Sequence, residues 1–111
     1  MDISKIRERF QEKGLKAEKF KSVICSWLLD VEDSEFDKFS FPTDFLSGDD
    51  EVLVLNTPDD EDGELTDEEF GFLRLDDGKS WEGIRINGTK DYVQIHDDTC
   101  GLHFTAFLVK V

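Results

Sequence analysis

The chain has 111 residues, enough for one domain, and sets 27 Asp and Glu against 13 Lys and Arg for a formal net charge of −14, with 38% hydrophobic residues and ten Phe. No apolar run is longer than Val52 to Leu55 or Ala106 to Val109, which excludes a spanning helix and the apolar core of a secretory leader. Two cysteines, Cys25 and Cys100, cannot build a disulfide framework and point to the cytoplasm, and so acidic a body repels nucleic acid and leaves no direct role in binding it.

High charge with modest hydrophobicity borders on the composition of disordered chains, but the aromatic residues place this one among folded domains. Phe10, Phe20, Trp27, Trp81, Tyr92, Phe104 and Phe107 all sit in periodic segments, and each can bury an area worth about 2 to 3 kcal/mol. A single domain over residues 1–111 is expected, with 57–69 an acidic flexible loop.

The charge is polarised. Residues 1–21 carry seven basic and four acidic side chains, and residues 22–111 carry six basic and 23 acidic ones, so a head of +3 joins a body of −17. Within the head, Ile3, Ile6, Phe10, Ala17, Phe20 and Ile24 recur at helical spacing, predicting an amphipathic helix from Ile3 to Lys21 that Asp2 or Ser4 caps and Gly14 can split into two. Lys5, Arg7, Arg9, Lys13, Lys16, Lys19 and Lys21 fall mostly outside that stripe.

From Val23 to Val31 the apolar residues Val23, Cys25, Trp27, Leu29 and Val31 alternate, which predicts a strand; a helix through Ile24, Trp27, Leu28 and Val31 is the alternative. Glu32 to Leu46 is acidic and aromatic and reads as irregular, with Pro42 enforcing an extended or turn geometry. Strands are then predicted at Val52–Asn56, Phe70–Leu75, Trp81–Asn87, Tyr92–Asp97 and Leu102–Val111. Turn residues at 76–80, 87–90 and 97–101 separate the last four into an antiparallel arrangement. The expected fold is α+β: an N-terminal amphipathic helix, or helix pair, on an antiparallel β-meander of five to six strands. Its buried face comprises Ile84, Ile86, Val93, Ile95, Leu102, Phe104, Ala106 and Leu108. Phe107, Val109 and Val111 make the other face of the last strand apolar as well, so either that strand is covered on both sides or the patch joins a second copy of the chain.

Two stretches suggest chemistry. Residues 59–69 resemble part of an EF-hand loop, with Gly63 at the turn, Asp60 and Asp62 as ligands, Leu65 at the apolar position and Glu69 as the closing carboxylate. Pro58 occupies the first ligand position and brings no side-chain oxygen, which favours a solvated acidic loop. His96, Cys100 and His103 gather near one hairpin and offer zinc donors or a Cys and His pair, but they follow no zinc template, and a polar cross-strand pair explains them more simply. No metal, cofactor or catalytic residue is therefore assigned, and no phosphate loop, nucleophile elbow or dinucleotide fingerprint is present.

What remains is three acidic clusters: Asp30, Glu32, Asp33, Glu35 and Asp37; Asp49, Asp50 and Glu51; and Asp59, Asp60, Glu61, Asp62 and Glu64 with the acids that follow to Glu69. Solubility alone needs fewer, and their mutual repulsion opposes folding. The leading expectation is a non-catalytic acidic protein that inhibits or neutralises a basic partner, such as a nuclease or DNA-binding protein, in the manner of an immunity protein or a DNA mimic. The alternative is an acidic homodimeric chaperone or adaptor joined through Phe107, Val109 and Val111. No membrane association is expected in either case.

Overall fold

A computed structural model describes residues 1–39, 41, 47–58, 64–76, 78–81, 83–98 and 104–111. Among them no helix is long and apolar enough to cross a membrane.

Helix α1, Ile3–Glu12, starts where the Asp2 carboxylate accepts the Ser4 amide at 3.0 Å. It ends earlier than the apolar stripe implies because Gly14 adopts φ +75, a left-handed conformation that stops a helix at little cost for glycine. Two residues, Glu18–Lys19, then form a short edge strand, β1, opposite Val52 and Glu51. Helix α2, Phe20–Val23, follows directly and runs into a π-helical turn over Ile24–Leu28, in which the Leu29 amide reaches back to the Ile24 carbonyl at 3.1 Å. The segment expected as a first strand is thus helical. Phe20, Val23 and Ile24, at i, i+3 and i+4, are all buried on its inner side, whereas the alternation over Val23–Val31 matches no sheet. Asp30 leaves the turn at φ +50, and a 3-10 helix spans Asp33–Lys38.

The remaining strands are β2 (Glu51–Pro58), β3 (Lys79–Trp81), β4 (Ile84–Gly88), β5 (Tyr92–Asp97) and β6 (Phe104–Lys110). All pairings are antiparallel, in the order β1-β2-β6-β5-β4-β3. The predicted α+β class is therefore observed, with β3 to β6 forming a meander and β2 lying on its far side against β6. The span expected as one strand from Trp81 to Asn87 is a hairpin of two, reversing next to Gly83 at φ +90. Leu102, expected on the buried face, lies outside the described residues.

Residues 70–75 are not a strand. Helix α3 covers Asp67–Leu73, opened by a reciprocal capping box: the Glu69 amide donates to the Thr66 hydroxyl at 3.1 Å and the Thr66 amide to the Glu69 carboxylate at 2.9 Å. Two local hydrogen bonds and the burial of Leu73 outweigh the β preference of the aromatic residues. Both ends of the span expected as an acidic loop are therefore regular structure, Thr57 and Pro58 in β2 and Asp67 to Glu69 in α3.

The sheet is the middle of three layers. On one face Val52, Ile86, Val93, Ile95, Ala106 and Leu108 meet Phe20, Val23, Ile24 and Phe36 from α2 and the 3-10 helix. On the other, Leu53, Leu55, Tyr92, Phe107 and Val109 meet Ile6 and Phe10 of α1 and Leu73 of α3. The head therefore does not lie as one helix on the face of Ile86 and Val93. The break at Gly14 and the edge strand β1 carry the chain round the sheet, so α1 covers the opposite face. Central strand β6 is consequently buried from Thr105 to Val109 without interruption. Phe107 and Val109 are both 0% exposed, which removes the apolar patch on which the homodimer expectation rested; Val111 alone of the three is exposed.

Candidate protein-binding face

The first acidic cluster is an alternation of anchors and carboxylates. Val31 and Phe36 are buried in the core, while Asp30, Glu32, Asp33, Glu35 and Asp37 remain exposed. Phe36 stands edge-on to Phe20 with ring centroids 6.0 Å apart, so the backbone that carries these acids is tied to α2. Phe36 is thus a core residue, and Phe39 and Phe41 pack partly buried against the same cluster.

The second cluster sits in a turn that closes on itself. The Asp50 amide donates to the Ser47 carbonyl at 3.1 Å, and the Ser47 amide donates to the Asp50 carboxylate at 2.8 Å. Asp50 also accepts the Phe20 amide through its carbonyl at 2.8 Å, and Gly48 accepts the Lys21 amide at 3.1 Å. This turn is thereby fastened to the start of α2, the same element that holds Phe36.

Lys21 lies between the two clusters. Its ammonium is 3.5 Å from Asp33 and 5.6 Å from the centroid of the Phe36 ring. Gly48 permits that approach: a Cβ there would meet Phe36 at 3.2 Å and the Lys21 Cβ at 3.3 Å. Two other lysines reach into the region, Lys19 at 4.0 Å from Asp49 and Lys110 at 3.8 Å from Asp50. These are solvent-screened pairs, each worth about 0 to 1 kcal/mol. Asp30, Glu32, Glu35, Asp37 and Glu51 make no ion pair among the described residues.

The field of the first cluster is felt inside the protein. Cys25, buried beneath it, has its thiol pushed up by burial and further by Asp33 and Asp37, against the opposing effect of Lys21. Its Sγ lies 3.9 Å from the Glu32 carbonyl.

The described acids of the third cluster, Glu64 and Asp67 to Glu69, lie on the side of α1 and α3. Glu64 pairs at 3.9 Å with Lys13, the C-cap of α1, on the opposite layer, and Asp59, Asp60, Glu61 and Asp62 lie outside the described residues. Glu69, expected as the closing EF-hand ligand, has its carboxylate engaged by the Thr66 amide and by Arg9 at 3.2 Å. Of the second constellation only His96 is described: its Nδ1 is 3.2 Å from the Thr105 hydroxyl and its Nε2 3.5 Å from Asp98, a polar cross-strand arrangement. Cys100 and His103 fall outside the described residues, among which no three metal-ligating side chains gather.

Sequence patterns point to the carboxylates but not to the residues that join them. Lys21 reads as part of the basic head, and nothing in the sequence singles out Gly48; the helical alternative for Val23 to Val31, through Ile24, Trp27, Leu28 and Val31, is the nearest signal to the helix that follows Lys21. Comparison with protein-family models, curated proteins and solved structures yields no match in any of the three.

Proposed function

We propose that the protein is a non-catalytic acidic binder that occupies the basic surface of another protein, an enzyme or binding protein that handles nucleic acid, and thereby inhibits or neutralises it. The observation that carries this reading is the junction of the first two acidic clusters through Phe36, Lys21 and Gly48. It presents Asp30, Glu32, Asp33, Glu35, Asp37 and Asp49 from backbone anchored to one hydrophobic core. Carboxylates carried on anchored backbone lose little backbone freedom on meeting Arg and Lys, and their summed field accelerates encounter with a cationic groove. Grooves that follow a phosphate backbone are the surfaces whose charge best complements such a field.

Affinity capture from native extract tests the reading, using the wild type beside a variant carrying Glu32→Gln, Asp33→Asn, Glu35→Gln and Asp37→Asn. Retention of a partner with a basic contact surface, weakened by the substitutions and by salt, is expected. Equal retention by both proteins, or capture that strengthens with salt, contradicts it.

A further inference from the structure

The chain has four arginines, and α1 uses two of them: Arg7 donates to the Lys110 carbonyl, and Arg9 pairs with Glu69. The other two, Arg74 and Arg85, line the same cavity, about 400 Å³ in volume, on the sheet face that α1 and α3 cover only in part. Its floor is a polar row across three strands, Arg85, His96 and Thr105, which are successive cross-strand partners. Phe70, Arg74 and Leu75 form the wall.

That wall is pinned to the floor. The Gln94 side-chain amide donates to the Leu75 carbonyl at 3.1 Å, and the Leu75 amide donates to the Gln94 side-chain oxygen at 3.1 Å, a reciprocal pair that copies a β-ladder; Asn87 Nδ2 donates to the Asp76 carbonyl. The cavity is thus built before any ligand arrives, and its volume falls within the range of small-molecule sites, about 300 to 1,000 Å³.

Its charge is unusual for so acidic a chain. Arg74 has no carboxylate partner among the described residues and holds its guanidinium 5.9 Å from the centroid of the Phe70 ring. Among the described residues Arg85 has one loose ion pair, 3.9 Å from Asp98, and the same carboxylate is 3.5 Å from His96. The Asp98 carboxylate is therefore the internal competitor that an incoming oxyanion displaces from Arg85 and His96. Asp76 also lines the cavity, so its carboxylate and that of Asp98 oppose an anion at close range and leave the two guanidiniums to outweigh them; the acids farther off oppose it weakly, since exposed charges beyond about 8 Å are largely screened at physiological salt.

We propose that this cavity binds a small organic oxyanion, its carboxylate or phosphate group held by Arg74 and Arg85 and its apolar part against Phe70 and Leu75. Guanidinium forks suit either group, and the aromatic and aliphatic wall selects against a bare inorganic ion.

Titration of the ¹⁵N-labelled protein with phenyl phosphate and, separately, phenylacetate, at constant ionic strength, tests the proposal. Saturable shifts at millimolar or lower probe, centred on the amides of Arg85, Gln94, His96 and Thr105, are expected from at least one probe, and the responding probe identifies the favoured group. Arg74→Gln and Arg85→Gln should each weaken binding by about tenfold, while amides of α1 and β2 keep their positions and report an intact fold. Absence of saturation with both probes, or unchanged affinity in the double variant, would overturn it. The acidic-face proposal is unaffected by either outcome, because no residue is shared.

Discussion

Glu69 combines two contacts that hold α3 in place. It is 4% exposed, caps the helix through Thr66 and reaches Arg9 on α1. Burial by itself pushes its carboxyl up, but the Thr66 amide and hydroxyl together with the Arg9 guanidinium outweigh that, and the net shift is downward. A carboxylate held lower in the folded than in the unfolded state adds stability that is complete above its unfolded pKa and disappears as pH falls through its folded one. Glu69→Gln should therefore destabilise the protein by about 1 to 2 kcal/mol near neutral pH, and by progressively less below the usual carboxylate range, as urea unfolding across that range will show. The Thr66 to Glu69 spacing is visible in the sequence, but an EF-hand register ending on Glu69 competes with it for the same residues. Cys25 makes a second residue-scale prediction. Because burial and the neighbouring acids disfavour its thiolate, a Cys100→Ser variant should react with a thiol reagent far more slowly in the native state than in denaturant.

At the scale of elements, two glycines separate backbone requirement from mere tolerance. Gly71 lies in α3, and an added methyl group there would find nothing within 4 Å, so Gly71→Ala should stabilise the protein by about 0.4 to 1 kcal/mol. Gly78 faces the Ile86 backbone, where a Cβ would collide with the carbonyl group. Gly78→Ala should thus displace β3 from β4 and destabilise by about 1 to 3 kcal/mol or more, with thermal unfolding of the two variants moving in opposite directions. The later strands are legible because alternation in Ile86, Val93, Ile95, Ala106 and Leu108 maps directly onto one sheet face. Helices α2 and α3 are not, since each is short and rich in aromatic or β-branched residues whose local preference is for strand. Their helical state depends on burial of Phe20, Val23, Ile24 and Leu73 and on a cap, contacts that arise only once the sheet exists to receive them.

For the whole molecule, the formal charge of −14 acquires a geometry. Arg9, Lys13, Lys19 and Lys21 of the basic head are paired with acids of the body, and Arg7 donates to a carbonyl of β6. The exposed carboxylates of the first cluster are left as the dominant display beside α2. How strongly the acids are grouped can be counted from the sequence. That the first two clusters meet, while Glu64 lies on the other layer, cannot, because it depends on the chain passing round the sheet edge at β1. Competition for the captured partner is the most direct measurement of the central claim: the partner is bound to a labelled DNA or RNA duplex and titrated with this protein. Displacement of the duplex near equimolar protein is predicted, with the four-fold neutralised variant at Glu32, Asp33, Glu35 and Asp37 markedly weaker. A stable ternary complex, or equal displacement by the variant, would contradict the account.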